Sequence, residues 1–179
     1  MRSSKSIMLL GVGIFVAAWL IPLSSMACGY GIKRGYDIWW KDIIGIIFPG
    51  DIVVMGEDIE STIAGAGEPW STSTGSAKVN LKTEKLEFTV TGLVWAGGRY
   101  IGTLGPITKV RGTLICFTKD GGSVPPVDTP LVPLDKEGNA HFYGHVVLDP
   151  VCSDGDIAFL IRRDDGFWIA NGAVRSVRH

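Results

Sequence analysis

The chain carries three histidines and three cysteines in 179 residues, and no basic excess: 17 Lys and Arg stand against 18 Asp and Glu. Proteins that grip nucleic acid ordinarily show a basic stripe. Here the charges are interspersed, so no nucleic-acid partner is expected. Gly-x-Ser-x-Gly is absent, and Ser123 in Gly122-Ser123-Val124-Pro125 has neither the second glycine nor the strand–turn–helix setting of a nucleophile elbow. Gly29-x-Gly31-x-x-x-Gly35 is one residue off the dinucleotide fingerprint and follows no strand. Residues 102–109 do not end in the Gly-Lys-Ser/Thr of a phosphate-binding loop. Asn80, Asn139 and Asn171 begin no glycosylation acceptor, and the chain shows no long repeat. No catalytic residue is assigned and no cofactor is expected.

Residues 1–27 read as a targeting segment. Arg2 and Lys5 make a short positive start, residues 7–23 are almost wholly apolar, and Ser25 and Ala27 occupy the −3 and −1 positions of a cut before Cys28. Export machinery reads that order of basic, apolar and small residues. A secreted, periplasmic or cell-surface location is therefore expected. The apolar run also reaches the lower limit for spanning a bilayer as a helix, about 17 residues, which makes an uncleaved membrane anchor the alternative. Cys28 stands where a bacterial lipoprotein carries its acylated cysteine, although Ser25 fills the −3 position that those signals give to Leu. Lipidation at Cys28 is thus a competing expectation.

Beyond the segment, enough chain is left for one domain with a core. Residues 28–56 form an apolar lead-in whose stretch 38–48 reads Ile-Trp-Trp-Lys-Asp-Ile-Ile-Gly-Ile-Ile-Phe. Eleven residues are too few to span a membrane. A core helix, a buried strand pair and an interfacial segment with Trp39 and Trp40 at headgroup level all fit that stretch. Residues 65–77 are rich in Gly, Ser and Thr, which predicts an exposed loop.

A single β-rich domain is expected over 57–179. Leu86, Phe88 and Val90 alternate with Glu87, Thr89 and Thr91, the period of a half-buried strand. Residues 110–117 are β-branched and apolar. Two hairpins are predicted, one from 131–134 and 140–148 around the turn 135–139, the other from 157–162 and 167–174 around 163–166; each turn holds a glycine for a left-handed position. Short strands at this spacing, without helical periodicity, predict an all-β antiparallel sandwich or barrel-like domain. Cys116 and Cys152 are expected to pair in an oxidising compartment.

The candidate sites are few. His141 and His145 are the metal candidates, with Asp149 following. On a strand, however, four residues span roughly 13 Å, too far for both imidazoles to reach one ion. Asp149, Asp154 and Asp156 are a candidate calcium loop, without the spacing of an EF-hand. Trp70, Trp95 and Trp168 are the candidate ligand-binding rings, because a flat aromatic surface can stack on a sugar. The expectation is an exported β domain with a non-catalytic binding or structural role, its partner a carbohydrate or a protein. The alternatives are a small secreted, metal-assisted enzyme and a membrane-anchored surface protein.

Overall fold

The computed structural model describes residues 38–48, 50, 52–53 and 63–177. The expected export segment 1–27, Cys28 and the remainder of the lead-in to residue 37 lie outside them. Among the described residues the strands are β1 (Ile38–Trp40), β2 (Ile44–Gly45), β3 (Ile52–Val53), β4 (Ile63–Ala64), β5 (Trp70–Ser71), β6 (Thr74–Asn80), β7 (Lys85–Thr91), β8 (Val94–Trp95), β9 (Lys109–Phe117), β10 (Val127–Asp128), β11 (Val132–Pro133), β12 (Ala140–His145), β13 (Asp156–Arg163) and β14 (Trp168–Ser176). No α-helix occurs among them, and every pairing of these strands is antiparallel.

One sheet runs β1-β6-β7-β12 and a second runs β10-β9-β13-β14-β2, with β11 also paired to β9. The first follows directly from alternation. On β7, Leu86, Phe88 and Val90 are fully buried while Glu87 and Thr89 stay partly exposed, and on β6 Ala77 and Val79 are buried beside them. The second sheet is more apolar. β9 and β13 bury Leu114, Ile115, Ile157, Phe159, Leu160 and Ile161 almost completely, as strands covered on both faces do.

The two sheets meet through rings set against glycines. Phe159 of β13 lies 5.6 Å from Trp40 and 5.8 Å from Phe88, centroid to centroid. A Cβ on Gly112 would come within 2.8 Å of the Phe88 ring, and one on Gly172 within 2.5 Å of Trp40. Each ring therefore occupies the room that a side chain on the opposite strand would need. The Trp40 indole N–H donates to the Ala173 carbonyl at 2.6 Å, so this buried ring leaves no polar atom unsatisfied.

The stretch 38–48 is neither a helix nor a lone interfacial segment. It contributes an edge strand to each sheet. Ile38 and Trp40 point inward and Trp39 outward, and the chain then crosses between sheets over Ile43–Ile46. There the Ile43 N–H donates to Gly75 O, the Ile46 N–H to Ile169 O, and the Trp70 N–H to Ile46 O. Residues 65–77 are likewise not an exposed excursion. Residues 74–77 belong to β6, and small residues occur there because neighbours approach closely: a Cβ on Gly75 would lie 2.6 Å from the Ile43 side chain.

The second predicted hairpin is present as β13 and β14, closed by Arg163 N–H to Phe167 O. The first is not a hairpin. Its turn forms, with Asp135 N–H on Asn139 O and Gly138 at φ 80°, but β11 pairs with β9 and β12 with β7, in different sheets. Turn chemistry specifies the reversal of the chain and leaves open which neighbour each arm pairs with.

Asp135 anchors that turn and so the start of β12. Its carboxylate accepts the N–H groups of Asn139 (2.8 Å) and Glu137 (3.0 Å) and the Asn139 side-chain amide (3.0 Å). These bonds, the Asn139 N–H foremost, hold the Asp135 carboxyl below its ordinary value. A carboxylate whose pKa falls on folding stabilises the fold above the unfolded-state pKa and loses that contribution as pH falls through the folded one. The urea midpoint of Asp135→Ala is therefore expected below that of wild type near neutrality, with the gap narrowing as pH drops below about 4. A gap of constant size across that range would contradict this role.

Candidate functional site

The outer face of the four-stranded sheet is where side chains with recognition chemistry collect. Continuous register across all four strands sets Trp39, Lys78, Glu87 and Tyr143 in one row. Beside it run Ser76, Thr89 and His141 on one flank and Asn80, Lys85 and His145 on the other. Residues two apart share a face of a strand, so burial of Leu86, Phe88 and Val90 beneath obliges the polar set to face outward.

Trp39 and Tyr143 close the row at its two ends, 41% and 58% exposed, roughly 14 Å apart across three strand spacings. Between them Lys78 and Glu87 form a cross-strand ion pair at 3.6 Å. Such a surface pair adds little stability, but it keeps the middle of the row polar and hydrogen-bonding. The Lys41 and Lys78 ammonium groups lie 5.1 Å and 5.9 Å from the Trp39 ring centroid, within cation–π range. Farther along the face, the Thr74 and Thr91 hydroxyls share a hydrogen bond of 2.7 Å. The row has an aromatic ring at each end.

His141 and His145 are both exposed on β12, on the same face as Tyr143 between them. The strand geometry keeps them apart, and no group of three or more metal-capable side chains occurs among the described residues. The acidic loop does not converge either. Asp149 caps the short turn Pro150–Ser153 by accepting the Val151 N–H, Asp154 pairs with Lys119, and Asp156 sits exposed at the start of β13.

The three rings expected to stack on ligand are instead buried, with 1% exposure for Trp70, 8% for Trp95 and 4% for Trp168. Trp70 and Trp95 are cross-strand partners of the β5–β8 ribbon, with ring centroids 5.8 Å apart. Tyr100 packs edge-on against Trp95 at 4.9 Å, and Trp168, at the start of β14, bridges to Gly65. None of the three offers a ring face to solvent. Large rings are usually well buried, and the polar composition around Trp70 marks close packing. Trp39, expected only as an interfacial anchor together with Trp40, is among the described residues the tryptophan whose ring reaches solvent, 41% exposed. The usable signal is the period-two pattern Ile38–Trp39–Trp40, which sends the middle residue to the opposite face.

Cys116 and Cys152 are disulfide-bonded, with Cα atoms 5.0 Å apart. Beside the bond opens a cavity of about 410 Å³ whose walls include Phe117, Lys119, Pro150, Val151 and Asp154. It is a shallow recess crossed by the exposed Lys119–Asp154 pair. Neither a known protein family, nor a curated protein, nor a solved structure matches this chain.

Proposed function

We propose that this protein is an exported β-sandwich domain that binds an extended carbohydrate chain, without transforming it, on the outer face of its four-stranded sheet. The observation carrying this reading is the row Trp39–Lys78–Glu87–Tyr143, with exposed rings at both ends and hydrogen-bonding groups between. A sugar ring has apolar faces and a polar rim, so a row of this composition complements several sugars in series. The spacing of the two rings suits a polymer better than a single sugar. The contacts of Phe159 with Trp40 and Phe88 support the sandwich arrangement, and the Cys116–Cys152 bond agrees with an oxidising, exported location. Among the described residues no helix is long and apolar enough to cross a membrane.

The test is a glycan array followed by affinity electrophoresis of the purified protein. Trp39→Ala and Tyr143→Ala are each expected to weaken binding about tenfold or more, the size of a hot-spot truncation, with an unchanged thermal midpoint. Trp70→Ala is expected to lower the midpoint instead, since that ring is buried. A screen in which no glycan is retained overturns the reading, as does a Trp39→Ala/Tyr143→Ala double variant that binds like wild type.

A further inference from the structure

We infer that two copies of this chain pair edge to edge through β12, antiparallel, with Tyr143 at the two-fold axis. Among the described residues β12 ends the four-stranded sheet and pairs only with β7. It is also the longest strand in such a terminal place, six residues against three in β1 and two each in β10 and β2. A long edge of unpaired backbone groups is a template for another strand, and proteins ordinarily blunt it with Lys, proline or a bulge. The stretch Ala140-His-Phe-Tyr-Gly-His145 holds no Lys, Arg, Asp, Glu or Pro, and its register with β7 is unbroken.

The phase of the ladder shows which groups face the edge. The Val146 N–H donates to Glu84 O, and bonded pairs alternate along an antiparallel ladder. Ala140, Phe142 and Gly144 therefore bond to β7, whereas His141, Tyr143 and His145 turn their N–H and C=O groups away from it. The side chains of these three residues are exposed on the outer face.

The residue order suits this edge to its own copy, because it reads symmetrically about Tyr143. An antiparallel pair centred there sets Tyr143 against the partner's Tyr143 and His141 against the partner's His145. Every outward N–H and C=O of the three residues then finds a partner. On the inner face Phe142 falls opposite the partner's Gly144, a ring beside a residue with no side chain. The row Trp39–Lys78–Glu87–Tyr143 meets its own copy at the axis and continues into it.

The pairing also brings together what one chain holds apart. Across the axis, His141 and the partner's His145 have Cβ atoms about 4.5–5.5 Å apart. Two imidazoles at that spacing reach one zinc ion through bonds of about 2.1 Å, so zinc reports the register.

Sedimentation velocity of the purified protein, without glycan, is expected to show a reversible monomer–dimer equilibrium in the micromolar range, because a six-residue edge buries less than a standard interface. Tyr143→Pro removes an outward N–H that β7 does not use, and Tyr143→Lys opposes like charges at the axis. Each should weaken association about tenfold or more, with an unchanged circular dichroism spectrum. Ser76→Lys, on the same face but on β6, should leave association unchanged. Zinc chloride should tighten the wild-type dimer about tenfold by linkage, and should not act on His141→Ala or His145→Ala alone. An equal mixture of those two variants should respond again, since the mixed dimer keeps one intact histidine pair.

A protein that stays monomeric to millimolar concentration overturns the inference, as does a dimer lost with Ser76→Lys or indifferent to both Tyr143 variants. Zinc that tightens either single variant alone, or that fails on their mixture, overturns the pairing about Tyr143. Because no glycan is present, each of these results leaves carbohydrate binding standing.

Discussion

Phe159→Ala is expected to lower the unfolding free energy by about 3–5 kcal/mol, the range for deleting a buried large ring. Phe159 has no solvent exposure and touches the ring of Trp40 from β1 and that of Phe88 from β7. It therefore sits on the seam between the sheets, where one truncation removes contacts to both. The cavity left behind is bordered by strands held in hydrogen-bonded register on each side, which limits collapse. Against the roughly 5–15 kcal/mol total of a typical domain, such a loss moves the protein to the edge of folding. Urea-induced unfolding followed by tryptophan fluorescence would measure it, with Phe159→Leu as a milder control. A loss for the alanine variant below about 1 kcal/mol, typical of a surface position, would show that the seam is not built as described.

Breaking the Cys116–Cys152 bond is expected to cost about 4 kcal/mol, the chain-entropy value for a loop of this size. The half-cystines are 36 residues apart in sequence and both are buried. Between them lie β10, β11 and β12. Releasing the bond thus frees the unfolded chain over a segment that visits both sheets. Wild type should lose stability on reduction, whereas a Cys116→Ala/Cys152→Ala variant should start lower and not respond to reductant. Thiol titration of the unfolded, unreduced protein should find neither cysteine reactive. Two reactive thiols there, with a reductant-insensitive midpoint, would rule the bond out. The row Trp39–Lys78–Glu87–Tyr143 lies on a face tied together by β6 and β7 and not by the disulfide. Retention on glycan is accordingly expected to survive reduction at temperatures below the new midpoint.

How much of this was legible from residue order depends on how local the cause was. The alternation Leu86–Phe88–Val90 against Glu87–Thr89 has one physical solution, a strand with one face buried, and β7 is that strand. The turn 163–166 joins two arms whose nearest partners are each other, and so β13 and β14 pair as expected. Cys116 and Cys152 both lie in β-rich sequence, whereas Cys28 directly follows the expected export segment, and the two are bonded. The distance argument against a shared ion at His141 and His145 needed only the rise of a strand, and the two residues do sit exposed on β12.

Elsewhere the cause was a neighbour distant in sequence. The arms 131–134 and 140–148 flank a correctly formed turn, yet β9 and β7 claim them separately, and no property of the turn encodes that choice. The small residues of 65–77 read as loop because Gly75 and Ala77 have no local reason to be small; the reason is Ile43 and the packed sheet beneath. Trp70 looked exposed among polar residues and is covered by Trp95. Trp39 looked like part of an apolar run and is the ring turned to solvent.

The residue order alone thus pointed to an antiparallel β protein and its outward-facing polar positions, because periodicity acts over a few residues, while the pairing of Cys116 with Cys152 was an expectation from the oxidising compartment. The partners of each strand, the burial of three tryptophans and the alignment of Trp39 with Tyr143 across four strands came from the tertiary structure. Register between strands is a long-range agreement, and it is what turns four separately unremarkable residues into one surface.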